Sequence, residues 1–523
     1  MSRHRQDIEQ ILKIKLIFLG IGILILGLLL FNRSLIKENA RGTEKSLETV
    51  ASNERNEEEQ EPVGEIREDE KDQEDASAAA EEIIRVLIKT NGFAGEIHET
   101  IRLTAACDLQ VEDRAGGIYE GGTELTFSRE GENVILNGEV LAEKPECYSV
   151  RSSEEISGGI TVASLERHQG TPSYEGVLEI WPVEGGFVLI NELFLESYLC
   201  YVVPSEMPSG YRAEALKAQA VCARTYAYKH IQSYAYPEYE AHVDDSVRYQ
   251  VYNNTGTAES TTQAVADTKG LILTWRGEPI TAYYFSTSCG CTGDEELWWE
   301  GDAQATPYLR GKTLNEKGET LELNSEEAFA EFIQTEDDTC YDSDISWYRW
   351  ETEIDVKTLS AHLNTVLKGR YQANPEAILT REGEDYQSIS TESVGTIRSI
   401  EVLERNIGGA VQKIRVNGSK KTIIAETEYN VRALLNVQGC TIFRNDGSTV
   451  EGSALLPSGC FMITPLKDET GKLTGFRFQG GGYGHGVGLS QNGANGMAKQ
   501  GKSFEEILHF FYTDVELTEL TAM

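Results

Sequence analysis

The order of apolar and polar positions divides the chain into stretches of different texture. Leu16 to Phe31 is an unbroken run of sixteen apolar or glycine residues, slightly short of the ~20 that cross a bilayer. Leu35-Ile36 extends it past Arg33, and Lys13 and Lys15 can snorkel to the interface. No small-x-small cleavage site follows Phe31. The pattern therefore predicts an uncleaved transmembrane anchor over 16–36 behind a cytoplasmic tail, 1–15, with the bulk of the chain extracytoplasmic. Residues 37–82 hold no aromatic side chain and include Glu57-Glu58-Glu59. Too polar to bury a core, they predict a disordered acidic stalk.

From Ile83 the texture becomes that of strands. Ile84–Ile88 and Val134–Leu136 are short β-prone runs, punctuated by Gly116-Gly117, Gly121-Gly122 and Gly158-Gly159, so 83–172 reads as a β-rich region of hairpins. Tyr174–Trp181 and Phe187–Glu192 form a further strand pair around Gly185-Gly186. Then the period changes. Leu216, Ala220, Ala223, Ala227 and Ile231 recur at spacings of four, three, four and four, which is one face of a helix. That face is mostly small side chains, so another backbone can approach it closely. Glu206 precedes the Pro208–Gly210 turn and is expected on the loop entering this helix. Ala258–Thr268 predicts a second helix, and Leu271–Leu273 and Ile280–Phe285 predict strands. The acidic, irregular stretch 294–344 reads as an insertion with surface helices such as Ser325–Gln334. A strand pattern returns from Trp350 to Val437, including Ile397–Leu403, with a short helix at Val431–Leu435. Phe461–Ile463 and Phe476–Phe478 lead into a glycine-rich block. The expected fold class is α+β: a β-rich extracellular region built around one tightly packed central helix, with an N-terminal single-pass transmembrane helix.

Charge and cysteine content narrow the partners. The net charge is −38, and Glu38–Glu82 holds 17 acidic and five basic residues, so most of the excess lies in the remaining chain. Such a surface argues against nucleic acid. Nine cysteines, an odd number scattered apart from Cys289 and Cys291, read as buried thiols rather than a disulfide framework. Gly496–Ser503 fits G-x-x-x-x-G-K-S, but no hydrophobic strand precedes it and twenty residues follow it. It is not a nucleotide loop; Ser503 and Glu506 instead form a capping box opening a helix over Glu505–Phe511.

Two long motifs carry a resemblance. Leu195-Glu196-Ser197-Tyr198-Leu199 through Pro204-Ser205-Glu206-Met207-Pro208, followed by Leu216-Lys217-Ala218-Gln219-Ala220-Val221 and Ala223-Arg224-Thr225-Tyr226-Ala227, resembles the signature of the stage II sporulation protein D/LytB (SpoIID/LytB) family. Gly482-Tyr483-Gly484-His485-Gly486-Val487-Gly488-Leu489-Ser490-Gln491 is similar to that family's glycine-rich histidine block. The likeness runs from about Tyr174 to Tyr512, so 173–523 is expected to be the catalytic region.

The resemblance implies cleavage of peptidoglycan glycan strands by lytic transglycosylation, with Glu206 as the one acid–base group. It also implies a role in sporulation, in engulfment, alongside other engulfment proteins. His485, Gln250, Tyr252, Ser288 and Gln491 would orient sugar or peptide groups. His485 is the one group in its block that titrates near neutral pH, and the glycines permit close approach to a ligand. Glu196 and Glu214 read as structural, and Arg224 as a tie between the helix and a carboxylate. Some family members hold zinc with a histidine before Ser-Thr-Ser and nearby cysteines. Here that position is Phe285, and Cys289 and Cys291 alone do not complete a four-ligand site, so no cofactor is required and zinc stays an open alternative. LytB-type relatives imply a second reading, a peptidoglycan-binding enhancer of a cell-wall amidase.

Overall fold

Alternation of apolar and polar residues makes half-buried strands here. In Leu109–Asp113 every second side chain is buried, and in Ile101–Thr104 Ile101 and Leu103 are. The computed structural model describes residues 82–119, 121–141, 146–153, 159–294, 306–335 and 339–520. The expected anchor and stalk lie outside these residues. Among the described residues no helix is long and apolar enough to cross a membrane.

Two largely antiparallel sheets open the fold. One has seven strands, in the order Val243–Asp244, Ile83–Ile88, Gly186–Phe194, Val177–Val183, Tyr148–Ser152, Leu109–Asp113 and Ile118–Tyr119. The other has six, from Ser173–Tyr174 through Ile160–Val162, Ile101–Thr104, Glu124–Glu130 and Asn133–Leu136 to Glu139–Val140. Ile83–Ile88 pairs antiparallel with Gly186–Phe194 and parallel with Val243–Asp244. Val86, Leu103, Phe127, Tyr148 and Leu189 share one core. The regions on either side of residue 172 thus share a sheet and a core.

Eight helices occur among the described residues: α1 (Leu195–Glu206), α2 (Ala213–Ile231), α3 (Glu259–Asp267), α4 (Glu326–Gln334), α5 (Val356–Ala373), α6 (Glu428–Leu434), α7 (Gln491–Lys499) and α8 (Phe504–Phe511). Helix α2 is the expected central helix, with a difference. From Ala215 to Ala227 every residue but Lys217 is buried. Ala220, Ala223 and Ala227 face the first core, while Ala215, Leu216, Ala218, Val221 and Cys222 face a second. The sequence reading assigned it one small-residue face; the structure uses both.

Three further differences have local causes. The stretch expected as a surface insertion supplies Tyr308, Leu309, Leu314, Phe329 and Ile333 to the second core. Helix α5 falls where strands were expected: Asp355 accepts from the N–H groups of Lys357 and Thr358, both at 3.0 Å, and Leu359, Leu363 and Leu367 then recur at helical spacing toward a third core with two five-stranded sheets. Of Ile280–Phe285 only Tyr284–Phe285 is a strand. It pairs in parallel with Leu489–Ser490, at the entrance to α7.

Candidate active site

Glu206 ends α1 rather than lying on a loop. Val202-Val203-Pro204 looks like a strand and a breaker. Burial of Leu195, Tyr198, Leu199, Val202 and Val203 at helical spacing overrides it, and Pro204 is carried inside the last turn. Met207 is extended and its N–H closes the helix on the Val203 carbonyl at 2.9 Å. Glu206 lines an open cleft of about 660 Å³, whose rims are Pro204–Gly210 and Gln169 with Thr255–Ala258. It is the only carboxylate among the residues lining that cleft.

The loop after the Val243–Asp244 strand fixes the carboxyl. The Val251 N–H donates to Glu206 Oε1 at 2.6 Å, and the Asn253 N–H donates to Ser205 Oγ at 3.2 Å. This loop is itself anchored by buried acids: Asp245 pairs with Arg167 and accepts the Lys89 N–H at 3.0 Å, and Asp244 accepts from Tyr236 at 2.7 Å. Burial pushes the Glu206 carboxyl up to about 7, against hydrogen bonds from Val251 and the Tyr284 hydroxyl that favour its charged form. The C-terminal end of a helix also disfavours a negative charge. With Oε1 taken by Val251, the acid form carries its proton on Oε2.

Two of the expected substrate residues stand behind the site. Gln250 is buried; its Nε2 donates to the Ala223 carbonyl at 3.3 Å and to the Tyr284 hydroxyl oxygen at 2.9 Å. Tyr252 is fully buried, donates to Asn191 Oδ1 at 2.8 Å and packs against Tyr198 with ring centroids 4.8 Å apart. It is a core residue, because the loop turns alternate side chains inward. Ser288 is buried too, and its N–H and hydroxyl bond to Asp342 at 2.8 and 3.0 Å. Asp342 also accepts from Ser490 at 3.0 Å, which ties this loop to the start of α7. Gln491 is 7% exposed and its Nε2 has no hydrogen-bond partner. It alone of the five keeps an unengaged side-chain donor.

His485 does not titrate near neutral pH. Nδ1 accepts from the Val487 N–H at 3.2 Å, so the ring is neutral and Nε2 donates to the Tyr284 carbonyl at 2.9 Å. Burial pushes its pKa down to about 4. The glycine block also approaches something other than a ligand. Gly488 has φ +77°, and a Cβ there would lie 2.0 Å from the Tyr283 carbonyl oxygen. The block is pressed against the Tyr284–Phe285 strand, and His485 bonds the Tyr284 carbonyl there. Sequence reasoning missed Tyr284 and Val251; the first is one tyrosine among 23, and the second acts through its backbone.

The structural residues fall as expected. Arg224 is fully buried and grips both Glu196 oxygens, at 2.7 and 2.9 Å, while bonding the Val265 and Leu271 carbonyls. Glu214 accepts the Phe504 N–H at 2.8 Å. All nine cysteines are free thiols. The residues around Cys289 and Cys291 do not fit zinc. Phe285 replaces the histidine, the Cys289 thiol is hydrogen-bonded to Cys460, and no group of three metal-ligating side chains occurs among the described residues.

Residues 183–275 match the family model described as Stage II sporulation protein (SpoIID). Those residues carry a SpoIID domain, and the chain is similar to proteins of the SpoIID/LytB family. Residues 294–488 match a second model, a domain of unknown function (DUF8618). The chain is 28% identical over 440 residues to the "Amidase enhancer" of Bacillus subtilis (strain 168), covering 82% of this chain and 55% of that protein. It is 27% identical over 345 residues to "Stage II sporulation protein D" of Bacillus amyloliquefaciens, covering 63% of this chain and 76% of that protein. The chain thus spans little more than half the length of the amidase enhancer. The SpoIID segment contains α1, Glu206, α2 and the Gln250–Tyr252 loop; Tyr284 lies beyond it, and His485 falls in the DUF8618 segment.

Proposed function

We propose that this chain cleaves the glycan strands of peptidoglycan by lytic transglycosylation, with Glu206 as the acid–base group. The observation that carries this reading is a single carboxyl, raised to about 7, on an open cleft with no second carboxylate in its lining. Glycosidases that use water as acceptor normally need two carboxyl groups, about 5 to 9.5 Å apart. A transglycosylase needs one, because the sugar supplies its own nucleophile. Glu206 Oε2–H protonates the glycosidic oxygen, and the bond from that oxygen to the anomeric carbon breaks. The resulting carboxylate then takes the proton of the same sugar's C6 hydroxyl as that oxygen bonds to the anomeric carbon. The product is a 1,6-anhydro sugar, and Glu206 returns to its acid form. An acid with a pKa near the working pH suits both steps.

In this reading Leu16–Ile36 anchors the chain in the cell membrane with its bulk outside, facing the wall, and the process is sporulation. Mass spectrometry of products released from glycan strands tests it: anhydro-ended sugars from the wild type and none from Glu206→Gln. The likeness to the amidase enhancer over 82% of this chain favours a second reading, a glycan-binding partner of a cell-wall amidase. Release that needs an added amidase and survives Glu206→Gln would select that one.

A further inference from the structure

One rim of the Glu206 cleft comes from outside the SpoIID segment. Of the residues lining the cleft, Pro204–Gly210 and Thr255–Ala258 lie within 183–275, and Gln169 alone comes from the β-rich region before it. Gln169 sits with His168 at the tip of a tight hairpin, in which the backbones of Arg167 and Gly170 exchange hydrogen bonds at 2.9 and 3.0 Å. The Arg167 side chain is buried beneath that tip. It donates to the Lys89 and Thr90 carbonyls at 2.7 and 3.2 Å and pairs with Asp245. Asp245 opens the loop whose Val251 N–H donates to Glu206 Oε1 at 2.6 Å. One buried ion pair therefore positions both Gln169 and the acid.

The Thr255–Ala258 segment between them is tied on both sides. Toward Gln169, the Ser173 N–H donates to the Asn254 carbonyl at 2.9 Å, and Thr255 Oγ1 donates to Gln169 Oε1 at 3.1 Å. Toward Glu206, the Ser260 hydroxyl donates to the Ser209 carbonyl at 2.7 Å. With Oε1 held by Thr255, Gln169 Nε2 keeps two N–H groups and has no partner among the described residues.

We propose that Gln169 is a substrate-binding residue of this cleft: its side-chain amide donates to the acetamido carbonyl of an N-acetylated amino sugar and so selects N-acetylated over de-N-acetylated glycan. The inference rests on the cleft being the glycan site of the proposed reaction. The chemistry follows from which groups on a glycan strand can answer a donor. Sugar hydroxyls both donate and accept, so they bond to either end of an amide and give no selection. An acetamido carbonyl only accepts. Removing the acetyl group leaves an ammonium, which only donates, and Nε2 then faces a group it cannot bond. Pro208 and Ala258 in the same lining offer apolar surface for the acetyl methyl.

The test measures binding, not turnover. Isothermal titration calorimetry on the full chain carrying Glu206→Gln removes cleavage and the charge of the acid. The probes are the tetramer of N-acetylglucosamine and the tetramer of glucosamine. The N-acetylated tetramer is expected to bind more tightly. Adding Gln169→Leu should weaken it about 3–10-fold and leave the glucosamine tetramer as it was. Adding Thr255→Val frees the amide to turn and should weaken the N-acetylated tetramer less, in the same direction. The ratio of the two affinities cancels the general attraction of an acidic protein for a cationic sugar. An equal loss for both probes, or no loss for either, overturns the proposal even if the wild type cleaves glycan. Selectivity that depends on Gln169, with no cleavage by the wild type, leaves Gln169 in its role and overturns the assigned reaction instead. Binding of neither tetramer overturns the cleft as a glycan site and this inference with it.

Discussion

The Val251 N–H donates to Glu206 Oε1 at 2.6 Å, across 45 residues of sequence. The contact joins the residue between Gln250 and Tyr252 to the end of α1. It fixes which carboxyl oxygen is free to carry a proton, and the rest of the site is arranged around that choice.

The first consequence concerns stability and pH. The Glu206 carboxyl titrates at about 7 in the folded chain, against about 4.5 when unfolded. The folded state therefore binds the proton more tightly. Its stabilising effect is complete below the unfolded value and is lost as pH rises through the folded one. Glu206→Gln has no such loss. It is expected to unfold near the wild-type midpoint at pH 4.5 and to exceed the wild type at pH 8 by roughly 1–3 kcal/mol. Urea unfolding at the two pH values checks this, and a constant gap between the chains would contradict it.

Breaking the Arg224–Glu196 pair should unfold the centre of the molecule rather than change substrate affinity. Arg224 is fully buried and bonds two carboxylate oxygens and two backbone carbonyls. Arg224→Met is expected to cost roughly 3–5 kcal/mol, because Glu196 and the carbonyls lose a charged donor. Glu196→Gln, at the more open end, should cost about 1–2 kcal/mol. Thermal unfolding ranks the two, and Arg224→Lys should not restore a two-pronged grip.

His485 should stay neutral through the physiological range. Its pKa is pushed down to about 4 by burial. Stability from the neutral ring is complete above its unfolded value of about 6.5 and is lost as pH falls toward 4. Nitrogen-15 spectra of the ring are expected to show the Nε2–H form unchanged between pH 5.5 and 8. A titration midpoint inside that window would contradict the hydrogen bonds from Val487 and to Tyr284.

Gly488→Ala should disturb Glu206 from a distance. A Cβ at this φ of +77° lies 2.0 Å from the Tyr283 carbonyl oxygen, so the strand carrying Tyr284 must shift. The expected loss is roughly 2–4 kcal/mol in urea unfolding. Cleavage should fall further than stability does, measured at a temperature where the chain remains folded.

Where the signal was local, the sequence was legible. Ile83–Ile88, the strand pair around Gly185-Gly186, helices α2, α3 and α4, and the capping box of Ser503 and Glu506 all rest on spacing and turn chemistry within a few residues. The failures share one cause, packing that overrides local preference. Helix α1 carries two valines and Pro204 and is held helical by its buried face. Helix α7 contains Gly493 and Gly496, poor helix formers on their own. A Cβ on Gly496 would meet the Tyr341 carbonyl oxygen at 1.9 Å, so the helix needs that glycine to seat against its neighbour. In the site, the motif singled out Glu206 but set it on the entering loop, whereas it ends α1. Tyr252 and Ser288, expected to face a ligand, are buried on protein partners, because a polar residue in a recognised motif gives no sign of which way a loop turns it.

The bond between Tyr284 and His485 closes a loop of 201 residues. A ribosome adds about 5–20 residues each second, so roughly 10–40 s separate the appearance of these two partners. During that interval Glu206 has already been synthesised, but the Tyr284–Phe285 strand lacks the Leu489–Ser490 strand it pairs with. The strand next to the site gains its pairing only when Leu489–Ser490 arrives, so under the proposed reaction the nascent chain is expected to stay inactive until then.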